Sequence, residues 1–264
     1  MKKIFYYEDE LNDDFCKTVE NKKPLVKKYK YISNNIFIKL FEFVIYRIII
    51  RPIVWLYAKI KLGQRFKNKK VIKGIKGGFL LYANHTLVAG DAFVPNSLTL
   101  KRKNYIVVGA ETASLTCLLP LLRALGMIPL GQDRVQCVEQ LRCIKKRIAQ
   151  GHTVTVYPEA HIWPYYTGIR PFKADSFGYA AVTGAPVVAM TNCFQKRRFF
   201  KSPKVVTYLD GPFYPRKDLS RAENTKYLRD LTYEAMKERA KNHSTYVYYE
   251  YRRKGGEENG EGNS

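Results

Sequence analysis

The chain has 264 residues, 46% of them hydrophobic, enough for one large globular unit with a buried core. Forty-six Lys and Arg against 23 Asp and Glu leave a formal charge of +23, which implies an anionic partner: nucleic acid, anionic lipid, an acidic carrier protein or a phosphorylated substrate. The five cysteines (Cys16, Cys117, Cys137, Cys143 and Cys193) show no Cys-x-x-Cys spacing, so they read as reduced thiols in a cytosol-facing compartment and suggest no zinc site.

Residues 1–33 form an N-terminal segment of mixed charge. Lys2 and Lys3 are followed by Glu8, Asp9, Glu10, Asp13 and Asp14, a run in which no signal-peptide core fits. The basic surplus starts behind it: residues 21–70 hold fourteen Lys or Arg and one acidic residue, Glu42. Within that stretch, residues 34–61 are the most apolar part of the chain, yet too interrupted by charge for a span of roughly 18 uncharged residues. On a helical wheel Lys39, Glu42, Arg47 and Arg51 take one half, and Ile, Phe, Leu and Val the other. Pro52 is expected to kink or break the helix. The pattern predicts two short amphipathic helices lying in a membrane interface, with basic stems reaching lipid phosphate. Removing residues 1–61 is then expected to leave the remaining fold in place.

From residue 62 to 245 the pattern is α/β. Apolar runs predict strands over 79–83, 105–109, 127–130, 153–157, 186–191 and 205–209. Helices are expected over 113–125, over 134–150 with Cys137, Leu141, Ile144 and Ile148 on one face, and from Ser220 to about Asn242, opened by the capping box Ser220…Glu223. Alternating strands and helices predict a mixed, mostly parallel sheet covered by helices. Residues 246–264 are read as a C-terminal tail whose end, made of Gly, Glu, Asn and Ser, is disordered. There is no internal repeat.

Chemistry is suggested where a strand runs into Asn84-His85, with Asp91 six residues on. An imidazole beside a carboxylate makes a general base at neutral pH, because the carboxylate fixes the tautomer and stabilises the imidazolium. No Gly-x-Ser-x-Gly elbow supplies a nucleophile, so the base is expected to activate a substrate hydroxyl. A His–Asp pair alone is not specific. Three further blocks follow in order: Gly126-Met-Ile128-Pro-Leu130 with Arg134, Tyr157-Pro158-Glu159, and Ala185-Pro186-Val187-Val188.

Over residues 78–210 this succession resembles the glycerophospholipid acyltransferases, typified by 1-acyl-sn-glycerol-3-phosphate acyltransferases. That family has an Asn-His-x4-Asp block, a Gly-x-Ile block with Arg, a Phe-Pro-Glu-Gly-Thr block and a Val-Pro-Ile-Val block. The chain departs from the pattern in three places. In the second block Gly131-Gln132-Asp133 intervene before Arg134, where the family Arg comes soon after the strand. Five residues, not four, separate His85 from Asp91, with Gly90 as the candidate insertion. Ala160-His161-Ile162 stands where the family has Gly-Thr-Arg.

The resemblance implies acyl transfer to the sn-2 hydroxyl of a lysophospholipid, giving phosphatidic acid when the acceptor is 1-acylglycerol-3-phosphate. His85 would be the base, Asp91 its partner, and backbone N–H groups around Ile128–Leu130 the oxyanion donors. Arg134, Arg170 and Lys173 would hold the acceptor phosphate, with Glu159 organising them. The donor would be acyl-carrier protein or acyl-CoA, already activated as a thioester, with no metal and no cofactor. The expected location is peripheral or monotopic on the cytoplasmic side of the cell membrane. A different lysolipid acceptor is the alternative. Nucleic acid is not expected, since no nucleic-acid motif accompanies the charge.

Overall fold

A computed structural model describes residues 2–16, 25, 29–33, 35–99, 101–114 and 119–255. Its centre is a seven-stranded sheet made of β2 (Arg65–Lys67), β3 (Phe79–Ala83), β4 (Asn104–Val108), β5 (Met127–Pro129), β6 (Thr153–Val156), β7 (Val187–Gln195) and β8 (Lys204–Phe213). The order is β2-β8-β7-β3-β6-β4-β5. Every neighbouring pair is parallel except β7–β8, so the expected mixed, mostly parallel sheet is the observed one.

Alternation along β3 builds both sides of the core. Leu80 and Tyr82 face one layer, with Ile144 and Ile148 of α6 (Arg134–Ala149), Ala180 of α7 (Gly178–Thr183), and Leu228 and Met236 of α8 (Arg221–His243). Phe79, Leu81 and Ala83 face the other, with Leu62, Ile72 and Val94. Every residue of β3 is buried, which is why the strand reads in sequence as an unbroken apolar run. The predicted capping box forms: the Ser220 hydroxyl accepts from Glu223 N, and Glu223 accepts from Ser220 N. In α6 the buried face is rotated from the expected one. Gln136, Gln140, Cys143, Ile144 and Ile148 are buried while Cys137 is exposed, because the two glutamine side chains bond Gln132 N and Gly131 N at the strand-to-helix turn. Of the helix expected over 113–125, the described residues show a 3-10 turn at Ala110–Ser114 and α5 (Leu119–Ala124). Residues 115–118, with Cys117, lie outside the described residues.

The helical stretch before the sheet runs from α1 (Ile36–Val44) through a π turn at Ile45–Ile50 into α2 (Arg51–Ile60). Pro52 does not break it. The wide turn ahead of the proline loosens the backbone where the pyrrolidine ring would meet a carbonyl one turn back. The polar side chains face the protein. Tyr46 is 1% exposed and donates to Asn96 Oδ1 at 2.8 Å. Arg51 is buried and bonds Thr99 O. Arg47 reaches Lys101 O, and Glu42 lies 3.8 Å from Lys103. Ile36, Phe37, Leu40, Phe43, Ile48, Ile53, Trp55, Leu56 and Ile60 are each more than half exposed. This reverses the amphipathicity of an ordinary surface helix, whose apolar stripe faces the core.

Residues 1–33 and 246–264 are not merely flanking segments. Strand β1 (Lys3–Tyr7) pairs in parallel with β9 (Tyr249–Arg253), with Lys3 opposite Tyr249. The ribbon lies on Trp163, whose ring stacks on Tyr251 at 4.9 Å and meets Tyr7 and Phe15. Together with buried Tyr46, Val54 and Ala58, this corrects the expectation that the fold stays in place without residues 1–61, since their loss would uncover Trp163 and remove the Tyr46 bond to Asn96. The expected tail is ordered to Gly255; the remainder, 256–264, lies outside the described residues.

Candidate active site

Four parallel strands end on one cleft of about 1500 Å³. His85 follows β3, Gly109 and Glu111 follow β4, Leu130 follows β5, and Tyr157 and Pro158 follow β6. This is the edge at which parallel α/β sheets place ligands.

The loop after β3 is fixed by its neighbours before any chemistry is considered. Asn84 Nδ2 donates to Asn192 O, and Asn192 N donates to Asn84 Oδ1, so the motif asparagine bolts the loop to β7. His85 N donates to Glu159 Oε2 at 2.8 Å, and His85 O accepts from Trp163 N at 3.1 Å. The imidazole stacks on Tyr157, 4.5 Å between centroids, and Tyr157 Oη donates to Asp91 O at 2.6 Å.

His85 and Asp91 meet despite the additional residue. Nδ1 of His85 lies 2.8 Å from Asp91 Oδ2, which also accepts from Leu87 N at 2.9 Å. Asp91 N donates to Leu87 O, and α4 (Gly90–Phe93) begins in this turn. The fifth intervening residue is thus taken up in a helical turn. Gly90 serves this by its size and not by an unusual dihedral. It is absent from the positive-φ residues, and a Cβ there would lie 2.8 Å from Leu87 Cβ and 3.1 Å from Leu62 Cδ1. Asp91 is 2% exposed; burial pushes its carboxyl up from 3.8, opposed by the bond to His85. A carboxylate at Nδ1 holds the proton on that nitrogen and leaves the Nε2 lone pair for the cleft.

These blocks coincide with a family signature: residues 63–192 match the family described as Acyltransferase. This part of the chain is an acyltransferase domain. The crystal structure of the 1-acyl-sn-glycerophosphate (LPA) acyltransferase PlsC from Thermotoga maritima superposes with a TM-score of 0.52 at 20% identity, over 76% of this chain and 86% of that one. That likeness shows a shared fold. None of the curated proteins matches the sequence.

In the acyltransferase the three expected phosphate-binding cations are dispersed. Lys173 lines the cleft, and so does His161. Arg134 is exposed at the start of α6 and is not among the cleft residues. Arg170 is a correction. It is 1% exposed, lies 3.9 Å from Glu159 Oε2, and donates to Glu10 O and to the carbonyls of Glu159 and His161. Its backbone N donates to Glu159 Oε1 at 3.0 Å. Burial pushes Glu159 up and Arg170 down, and their mutual attraction opposes both shifts. Glu159 therefore organises a buried cation and the His85 backbone, not a solvent-facing phosphate site.

The backbone around Ile128–Leu130 also departs from expectation as an oxyanion site. Leu130 N donates to Val108 O, Pro129 has no N–H, and Ile128 is paired with Val107 in the sheet. The N-terminal segment contributes to the cleft instead. Asn12, Asp13, Asp14 and Cys16 line it, Asp13 O accepts from Trp163 Nε1, and Asp14 Oδ2 lies 3.6 Å from His161 Nδ1. Nothing local in the sequence signals this placement. The aromatic density of residues 157–166, where Tyr157 and Trp163 support His85, was the available clue.

Proposed function

We propose that the acyltransferase moves a fatty acyl group from an acyl-carrier protein or acyl-CoA thioester to the sn-2 hydroxyl of 1-acyl-sn-glycerol-3-phosphate, giving phosphatidic acid. The observation that carries this reading is the 2.8 Å His85–Asp91 contact on the cleft, with Nε2 left for substrate. The acceptor hydroxyl gives its proton to Nε2 as its oxygen attacks the thioester carbonyl. Asp91 stabilises the imidazolium formed. The tetrahedral intermediate collapses by breaking the C–S bond, and the thiolate recovers the proton from His85. The products are an ester and a free thiol. Lys173 meets the acceptor phosphate.

The outward apolar face of α1 and α2 rests on an anionic bilayer, in peripheral or monotopic fashion on the cytoplasmic side, which puts bilayer-resident acceptor beside the enzyme. No helix among the described residues is long and apolar enough to cross a membrane.

A second acceptor reading has its own support. Asp13, Asp14, Glu111 and Asp175 line the cleft beside Lys173, and four carboxylates favour a lysolipid whose head group carries an ammonium. Thiol release by wild type and His85→Ala, across phosphate-bearing and zwitterionic lysolipids and both donors, tests both readings. The phosphate acceptor is expected to show the highest kcat/KM, and His85→Ala to lose about 10²–10⁴-fold. A preference for the zwitterionic acceptor replaces the first reading with the second; His85→Ala activity near wild type refutes the mechanism.

A further inference from the structure

The turn between β7 and β8 reads Gln195-Lys-Arg-Arg-Phe-Phe-Lys-Ser202. Phe199 is 81% exposed and Phe200 55%, at the tip of a hairpin whose first strand, β7, is buried along almost all of its length. Two adjacent phenylalanines in water cost hydration free energy and contribute nothing to the core. Their surroundings are cationic: the guanidinium of Arg197 lies 3.8 Å from the Phe200 ring centre, and that of Arg198 lies 5.2 Å from Phe199. The hairpin is also fastened to the helical stretch. Arg197 Nη1 donates to Lys61 O at 2.9 Å and Nη2 to Ile60 O at 3.1 Å, capping the carbonyl end of α2 beside the exposed Ile60.

We propose that this hairpin is a second membrane contact of the acyltransferase, inserting Phe199 and Phe200 among acyl chains while Lys196, Arg198 and Lys201 meet anionic lipid phosphate. The inference rests on the membrane reading of α1 and α2 given above. An aromatic tip flanked by basic residues matches a bilayer surface in both its layers, apolar below and anionic at the head groups. The Arg197 clamp makes the tip and the apolar face of α2 parts of one rigid surface. Two separated insertion points fix the enzyme's tilt, which one helix axis alone leaves free to roll.

The test is co-sedimentation of the full-length protein with phosphatidylcholine vesicles and with phosphatidylcholine–phosphatidylglycerol vesicles. Phe199→Ala/Phe200→Ala is compared with Phe37→Ser/Leu40→Ser, which alters the exposed face of α1. The hairpin variant is expected to partition about tenfold more weakly into both vesicles. Arg198→Gln/Lys201→Gln is expected to weaken binding only to the anionic vesicles. Both sets of residues are exposed, and unchanged thermal midpoints establish that the variants fold. Wild-type partitioning by the hairpin variant, with loss in the α1 variant, overturns this inference and leaves the membrane reading standing. Failure of wild type to bind either vesicle overturns both. A wild-type dimer that the hairpin variant converts to monomer, with vesicle binding unchanged, assigns the tip to a copy of the chain and also overturns the proposal.

Discussion

Replacing Asp91 by Asn separates the catalytic from the structural role of the buried carboxylate, because the two effects have opposite signs. Asp91 Oδ2 accepts from both His85 Nδ1 and Leu87 N, and an amide oxygen in that place accepts the same two bonds, so the loop geometry survives. The charge does not. With Nδ1 and Oδ2 in contact, the imidazolium and carboxylate charge centres are about 4 Å apart, and at an effective dielectric constant near 20 their attraction is about 4 kcal/mol. At about 1.4 kcal/mol per decade, this corresponds to a loss of roughly 10³-fold in kcat. Stability moves the other way. Burial raises the folded pKa of Asp91 above 3.8, so between those values the folded chain binds more protons than the unfolded one. Stability then falls as pH rises through that window, and at neutral pH the ionised carboxylate is a net cost that Asn removes. The expectation is a thermal midpoint equal to or above wild type with kcat down about three decades, measured by thiol release and by thermal unfolding at pH 7. A kcat within about fivefold of wild type, or a loss of activity accompanied by loss of fold, refutes the reasoning.

Other perturbations follow from the same contacts. Gly90→Ala pushes a methyl against Leu87 and Leu62; it is expected to cost about 1–3 kcal/mol in urea unfolding and to lower kcat by misplacing Asp91. Arg170→Met leaves Glu159 buried without its cation and is expected to destabilise by about 3–5 kcal/mol, without a selective rise in KM for a phosphate-bearing acceptor in the folded fraction. Lys103, half-buried beside Glu42, has its pKa pushed down to about 8 by loss of solvation. Between pH 8 and 10.5 the unfolded chain binds the additional proton, so this lysine destabilises the fold below that window and the cost disappears above it. Lys103→Met is therefore expected to raise the thermal midpoint at pH 7, by at most about 3 kcal/mol in stability, with the gain vanishing near pH 10.

The sheet was legible in the sequence because Phe79–Ala83 and the start of β7, Val187–Met190, are buried on both faces and stand as unbroken apolar runs. The ribbon of β1 and β9 was not. Lys3–Tyr7 and Tyr249–Arg253 are short, half exposed and charged, and they pair only because each finds the aromatic surface around Trp163. His85 and Asp91 could be read because their pairing is local. The place of Arg170 could not, since an arginine is normally an exposed cation and this one is accommodated inside by carbonyls as distant in sequence as Glu10. The inward-facing charges of residues 36–60 show a further limit. Amphipathic periodicity identifies a helix and its two faces, but not which face meets the protein.

The pairing of Lys3 with Tyr249 also ties the support of His85 to two stretches far apart in the chain. Trp163, whose backbone N donates to the His85 carbonyl, lies against Tyr7 of β1 and Tyr251 of β9, two strands separated in sequence by the whole central sheet. Closing so long a loop comes late among the folding contacts. A substitution that loosens either strand is therefore expected to reach the His85 loop through Trp163, although neither strand carries a residue of the base.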